Sequence, residues 1–282
     1  MAVQSHWFSV GSVVTWAEAG VGVVATQAFV EVSYGPLGLA LMRGGKSPQQ
    51  ALKSLIATDP RPEVRQVAML DARGRVAAHT GEKCVQEAGH VTGRGFSCQA
   101  NIMRSRRVWG AMARSFRRSK GSLAERLMLA LESAEQAGGD LRGRQSAAIL
   151  VVKVNGSSVP WHDRVVDLRV EDHPQPLVEM RRLLRIQQAY VHANNGDVMT
   201  EKGDVERALE EYKRSAELYP ENVELKFWQA VTLINHGELN KGRAILRGVF
   251  RTNKDMKTLL KGMPKVGLLK TDKATLQDLL RL

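Results

Sequence analysis

Gly138-Gly139-Asp140-Leu141-Arg142-Gly143-Arg144-Gln145-Ser146-Ala147-Ala148 is the stretch whose reading decides the fold. Three glycines, two arginines and one aspartate fall in these eleven positions. A helical pattern precedes it: Ser122-Leu123-Ala124-Glu125 is a capping box, and Leu123, Leu127, Leu131 and Ala134 share one face. Gly138 reads as the residue that ends this helix. An apolar strand, Ser146 to Val154, follows. Arginine offers paired, planar donors suited to carboxylate or phosphate. A polar, glycine-rich turn between a helix and a buried strand is a place for a site. The plainer reading is a tight turn in which Asp140 and the arginines form a structural ion pair.

Outward from that turn the chain alternates between strands and helices. Met1–Ser5 and Gly11–Trp16 read as extended, and Gly20–Ala28 as a buried strand. Gly35-Pro36 opens a short helix that Gly44-Gly45 closes. Ser47-Pro48-Gln49-Gln50 is a second capping box, and its helix buries Ala51, Leu52, Leu55 and Ile56 before stopping short of Pro60. Val67–Leu70 and Val76–His79 flank Asp71-Ala72-Arg73-Gly74 as a hairpin. Residues 89–95 read as loop, Asn101–Arg118 as helix, and Asn155-Gly156 as a hairpin turn leading to Arg164–Val170. Strand pairs separated by helix pairs predict stacked antiparallel sheets covered by helices, an α+β fold.

Totals set the frame. A chain of 282 residues with 43% hydrophobic content builds a packed core, as one large domain or two ordinary ones. Cys84 and Cys98 lack metal spacing and do not make a disulfide scaffold, so a reduced, cytoplasmic setting is expected. No apolar run is long enough to span a bilayer, and no signal-peptide pattern is visible. The net charge of +12 is partly local: eight Arg or Lys and no acid lie between Arg94 and Lys120. A solvated helix face accounts for them better than nucleic acid does, since no nucleic-acid motif accompanies them. The seven histidines show no HExxH spacing, so neither a metal nor a cofactor is expected, and His162-Asp163 reads as a local hydrogen-bonding pair. No G-x-S-x-G elbow occurs, and Ser9–Ser12 reads as a strand edge. The five tryptophans read as core or interface, and the cysteines as small buried groups.

After His173-Pro174-Gln175-Pro176 the pattern is helical throughout. Gly203-Asp204 and Gly237-Glu238 lie about 34 residues apart, one tetratricopeptide period. Gly196, Ala208, Tyr212 and Pro220 occupy that repeat's expected positions, while Gly242 and Lys254 depart from them in a second, degenerate copy. A closing helix is predicted near Ala274–Leu280. Such helix pairs present a surface for a protein or peptide partner, or pack on the first domain.

Ala25-Thr26-Gln27, Tyr34-Gly35-Pro36-Leu37-Gly38, Gly74–Gly81, Gly89-His90, Gly138–Ala148, Asp163-Arg164, Asp167–Val170 and Asp172-His173-Pro174 together resemble the domain-of-unknown-function family ten-twenty-eight. The resemblance covers nearly the whole chain, in the family's order. It implies a fold like the N-terminal-nucleophile hydrolases: a four-layer αββα sandwich over residues 1–173, a linker over 174–182, and an all-α tetratricopeptide-like domain over 183–282. It also implies one further strand ahead of the segment matching Ala2–Ser5. In such hydrolases the first residue of that strand is the nucleophile and its own amine the base. Met1-Ala2 supplies neither, so the chain is either shorter at this end than its relatives or not such an enzyme.

Two functions follow. One is hydrolysis of an amide bond in a small molecule or peptide, with Asp140, Arg142, Arg144, Gln145 and Ser146 orienting the substrate and Thr26 and Ser5 on neighbouring strands; Asp140 and Arg144 are the leading candidates. The alternative is a non-catalytic scaffold whose helical tail recruits a protein or peptide. The partners expected are an amide-bearing small molecule or peptide, a protein on the tail, and a second copy of the chain, but not a membrane or nucleic acid.

Overall fold

A computed structural model describes residues 1–282, which divide into two units, Met1–Leu183 and Leu184–Leu282. The first mixes strands and helices: β1 (Ala2–Ser5), α1 (Gly11–Val14), β2 (Thr15–Glu18), β3 (Gly22–Ala28), α2 (Tyr34–Arg43) and α3 (Pro48–Thr58). There follow β4 (Arg65–Asp71), β5 (Val76–Thr80), β6 (Gly89–Gly93), β7 (Phe96–Ala100), α4 (Arg107–Arg118), α5 (Leu123–Gln136), β8 (Ser146–Val152) and β9 (Arg164–Val170). The strands form a three-stranded sheet β1-β8-β9, a four-stranded sheet β2-β3-β4-β5 and a hairpin β6-β7, all antiparallel.

Both capping boxes form. Ser47 accepts from the Gln50 N–H and Ser122 from the Glu125 N–H, and each partner side chain returns a bond to the cap backbone. These bonds occupy N–H groups that the first helical turn leaves without partners. Helices α2 and α3 pack on one face of the four-stranded sheet. Alternation along β3 and β4 sends Val24, Val67 and Met69 into that contact, where they join Tyr34, Leu39, Met42, Ala51 and Leu52 in a dry cluster. Leu55 and Ile56 pack against its rim. Gly35 is required there: a Cβ would come within 2.3 Å of the Trp16 indole. The Tyr34 hydroxyl donates to Asp59, which also takes a 2.8 Å bond from Arg65 Nε. That guanidinium holds the Asp59 carboxyl below its usual range.

Several local expectations are corrected. Residues 89–93 are not loop: Gly89–Gly93 pairs with Phe96–Ala100 across a turn at Arg94-Gly95. The helix expected from Asn101 begins at Arg107, because Ile102 takes a left-handed φ of 57° and residues 102 and 103 bond to Val85 and Glu87 instead. Gly11–Val14, expected extended, is one helical turn, and Ser9 before it also has a left-handed φ of 53°. Asn155-Gly156 does not close a tight hairpin. A wider loop with a 3₁₀ turn at Pro160–His162 joins β8 to β9, held by Asp163, which accepts from the Ser157 N–H and hydroxyl. Trp7 and Trp161 are 60% and 74% exposed, so they are not core.

Residues 176–182, expected as linker, are helical. Pro176 opens α6 (Pro176–Glu201), since its ring fixes φ where the first turn needs no N–H. The rest of the second unit is α7 (Val205–Leu218), α8 (Val223–Asn235), α9 (Leu239–Thr252), α10 (Asp255–Gly262) and α11 (Lys273–Leu280). Asp204 caps α7 and Asn222 caps α8. Ala208 and Tyr212 are buried, and a Cβ on Gly196 would come within 2.8 Å of the Tyr212 ring. Phe227, Leu246, Leu260, Met263 and Leu279 centre this unit's own core. No helix is long and apolar enough to cross a membrane.

Candidate functional site

After α5, the left-handed Gly138 and Gly139 turn the chain sharply. Asp140 then forms an antiparallel bridge with Met103, and the Leu141 N–H donates to Ile102 O. This fixes Asp140, only 7% exposed, beside β1. Its carboxylate is fully engaged. Oδ1 accepts from the Arg142 backbone N–H at 2.9 Å and Nε at 3.1 Å; Oδ2 accepts from Arg142 Nη2 at 2.8 Å and from the His6 N–H at 3.4 Å. Arg142 Nη2 also donates to Ser5 Oγ at 3.2 Å. Locked in this way on its Nε–Nη2 edge, the guanidinium keeps Nη1 uncommitted.

Asp140, Arg142 and Ser5 all line a cavity of about 970 Å³. Val23, Ala25 and Gln27 of β3, Met112 and Phe116 of α4, and Leu127, Leu131 and Ala134 of α5 supply other walls. The face of β3 towards this cavity is therefore the one opposite the dry cluster. The helix face read from Leu123, Leu127, Leu131 and Ala134 opens onto the same space.

The remaining sequence candidates are not brought to it. Arg144 pairs with Glu135. Gln145 acts through its backbone, donating to Ser5 O and accepting from the His173 N–H. Ser146 is fully buried: its hydroxyl accepts from the Val10 N–H at 3.0 Å and donates to Trp7 O, tying the loop after β1 to β8. Thr26 lies on the helix-covered face of β3 and donates to Glu31 O.

Sequence reasoning passed over four polar residues here. Gln4, Gln27 and Asn101 line the cavity, and Gln66 stands behind them, wholly buried. Gln4 Nε2 is buried without a partner. The available signal was alternation: a strand that turns Thr26 inward turns Gln27 to the other face. Among the nucleophilic groups of the cavity, burial pushes the Cys98 thiol up to about 11, and Ser97 donates to Gln99 Oε1. Neither is paired with a base. No group of three or more His, Cys, Asp or Glu is placed to hold a metal ion.

Comparison with known proteins adds an independent line. The model of a family of unknown function, DUF1028, matches residues 1–180. The crystal structure of a DUF1028 protein from Silicibacter pomeroyi is 30% identical, covers 65% of this chain and 77% of that one, and superposes with a TM-score of 0.59. No curated protein matches the chain.

Proposed function

The chain belongs to the DUF1028 family of unknown function, and we propose that its first unit binds an amide- or peptide-like molecule in the cavity beside Asp140 and Arg142. The observation that carries this reading is the Arg142 guanidinium, held on one edge by Asp140 while it lines the cavity. The pair is neutral as a whole, so its spare N–H groups suit a carbonyl oxygen better than an isolated anion. Gln4 also lines this space, although its Nε2 is itself buried. A volume of about 970 Å³ is at the upper end of small-ligand sites.

The test is calorimetric titration of N-acetyl-leucine amide into the native chain and into Arg142→Met. The expected result is binding to the native protein and loss of about tenfold or more in the variant, the worth of charge-assisted hydrogen bonds. Equal affinity for both proteins removes Arg142 from the site.

Cleavage of the bound amide is the second reading. Two antiparallel sheets, with α2 and α3 against one and α5 against the other, support it, since the resemblance to N-terminal-nucleophile hydrolases implies such an arrangement. The engaged Asp140 and the protonated Cys98 favour binding over turnover by the cavity's own side chains.

For the second unit we infer a tetratricopeptide-like protein- or peptide-recruiting role. The supporting feature is repetition: α7 and α9 match end for end, and α6 and α8 match at their C-terminal ends, at a shift of about 34 residues. Cross-linking of the full chain in cell extract, with mapped sites, tests this. Partner cross-links concentrated in residues 184–282 are expected, and concentration in residues 1–183 defeats it.

A further inference from the structure

We propose that the cavity selects ligands by their N–H groups, through Gln27 Oε1 and Asn101 Oδ1, two carbonyl oxygens that Gln66 holds facing away from itself; this rests on the amide-binding reading above. Backbone carbonyls accept and never donate, so they fix which end of a buried amide is which. Gln66 Nε2 lies 2.9 Å from Ala100 O and 3.3 Å from Gly89 O. That end of the side chain is therefore the NH₂ group. It also donates to Thr80 Oγ1 at 3.0 Å, and the Thr80 hydroxyl in turn donates to His90 Nδ1 at 2.8 Å. Burial lowers the His90 pKa, which agrees with a neutral ring accepting at Nδ1.

The opposite end, Gln66 Oε1, then accepts from Gln27 Nε2 at 2.7 Å and from Asn101 Nδ2 at 3.1 Å. Both neighbours spend their NH₂ groups on Gln66. Their own carbonyl oxygens make no bond within the protein, and both residues line the cavity. Rotating either amide would set oxygen against oxygen, so the buried Gln66 specifies two acceptors. It is a positioning residue, and Gln27 and Asn101 are the ligand contacts.

The cavity thus carries a donor on Arg142 and acceptors on Gln27 and Asn101. Asn101 is two residues from Met103, which bridges to Asp140, so the two sets share a wall. A carboxamide or peptide with a free N–H satisfies both. An ester or a free acid satisfies the donors alone and sets its oxygens against the two carbonyls. The ligand class is therefore an amide with at least one N–H.

Two probes separate this inference from the reading it rests on: N-acetyl-leucine amide, and its fully N-methylated counterpart, which keeps both carbonyls and has no N–H. Titrated into the full chain, the first is expected to bind about tenfold or more tighter, the worth of one or two hydrogen bonds to groups otherwise left unmet. In Gln27→Met and Asn101→Leu the ratio is expected to fall to about threefold or less while affinity for the methylated probe stays as in the native chain. Gln66→Met is expected to do the same, whereas a purely structural Gln66 would weaken both probes alike. Equal binding of the two probes to the native chain overturns the inference and leaves the amide site standing. Binding of neither overturns both, and a native-like ratio in Gln27→Met and Asn101→Leu removes those residues.

Discussion

The two faces of the β2–β5 sheet are built from adjacent residues of the same strands, yet they differ in kind. Val24 and Thr26 turn to α2 and α3 and are fully buried; Val23, Ala25 and Gln27 turn to the cavity. On the first face the apolar side chains have close-packed neighbours, and polar groups such as Thr26 and Tyr34 are satisfied locally. On the second, the Gln27 amide gives its NH₂ to Gln66 and keeps its carbonyl oxygen towards the cavity. Packing density brings stability to the first face, and incompleteness makes the second a place for a ligand.

Neighbouring substitutions sharpen that contrast. Val24→Ala is expected to cost about 2 kcal/mol in urea unfolding, because it opens a void in a dry cluster. Val23→Ala, one residue away, should cost under about 1 kcal/mol, since its side chain already borders open space. Equal costs would break the comparison. At the site, Asp140→Ala leaves Arg142 without its partner and two backbone N–H groups without an acceptor; about 2 kcal/mol is expected, with part regained in Asp140→Ala/Arg142→Met.

Acid acts on the packed face. The Asp59 carboxyl lies below its ordinary range in the folded chain because Arg65, first, and the Arg61 N–H and the Tyr34 hydroxyl bond its charged form. A depressed folded pKa means that the stabilisation is present above about pH 4 and is lost as pH falls through the folded value. The melting temperature of the native chain should therefore drop more steeply below about pH 4 than that of Asp59→Asn. Ser47→Ala, which removes the cap of α3, is expected to cost about 1 kcal/mol in the same urea assay. Arg144→Ala comes last: Arg144 is the exposed member of its pair with Glu135, so about 1 kcal/mol or less is expected, with cavity binding unchanged.

Legibility followed the range of the interaction. Both capping boxes and the 67–79 hairpin depend on residues a few positions apart, and they form where the residue types require. The β6–β7 hairpin was missed because Gly89, Gly93 and Gly95 resemble loop; cross-strand partners such as Val91 and Cys98 make it a ribbon. The Asn101–Arg106 segment was misread because its bonds go to residues 85, 87 and 139, far from any local period. At the site, Asp140 with the arginines was legible as an ion pair inside a glycine turn, but the sequence favoured Arg144 where the structure pairs Arg142. Arg144 and Ser146, two and four residues beyond Arg142, were not separable from it by spacing, and tertiary partners took them elsewhere.

Membership of the family, most of the element order, the caps and the helical C-terminal unit are written in the sequence, the first through separate motifs in order and the rest through local propensity and short spacings. Which face of β3 is sealed and which is open was decided only by where the helices pack, since alternation marks two faces without saying what covers either. The roles of Gln27, Asn101 and Gln66 belong to the same class. Their amides acquire a direction from the carbonyls of Gly89 and Ala100, residues brought to β4 by tertiary contact alone.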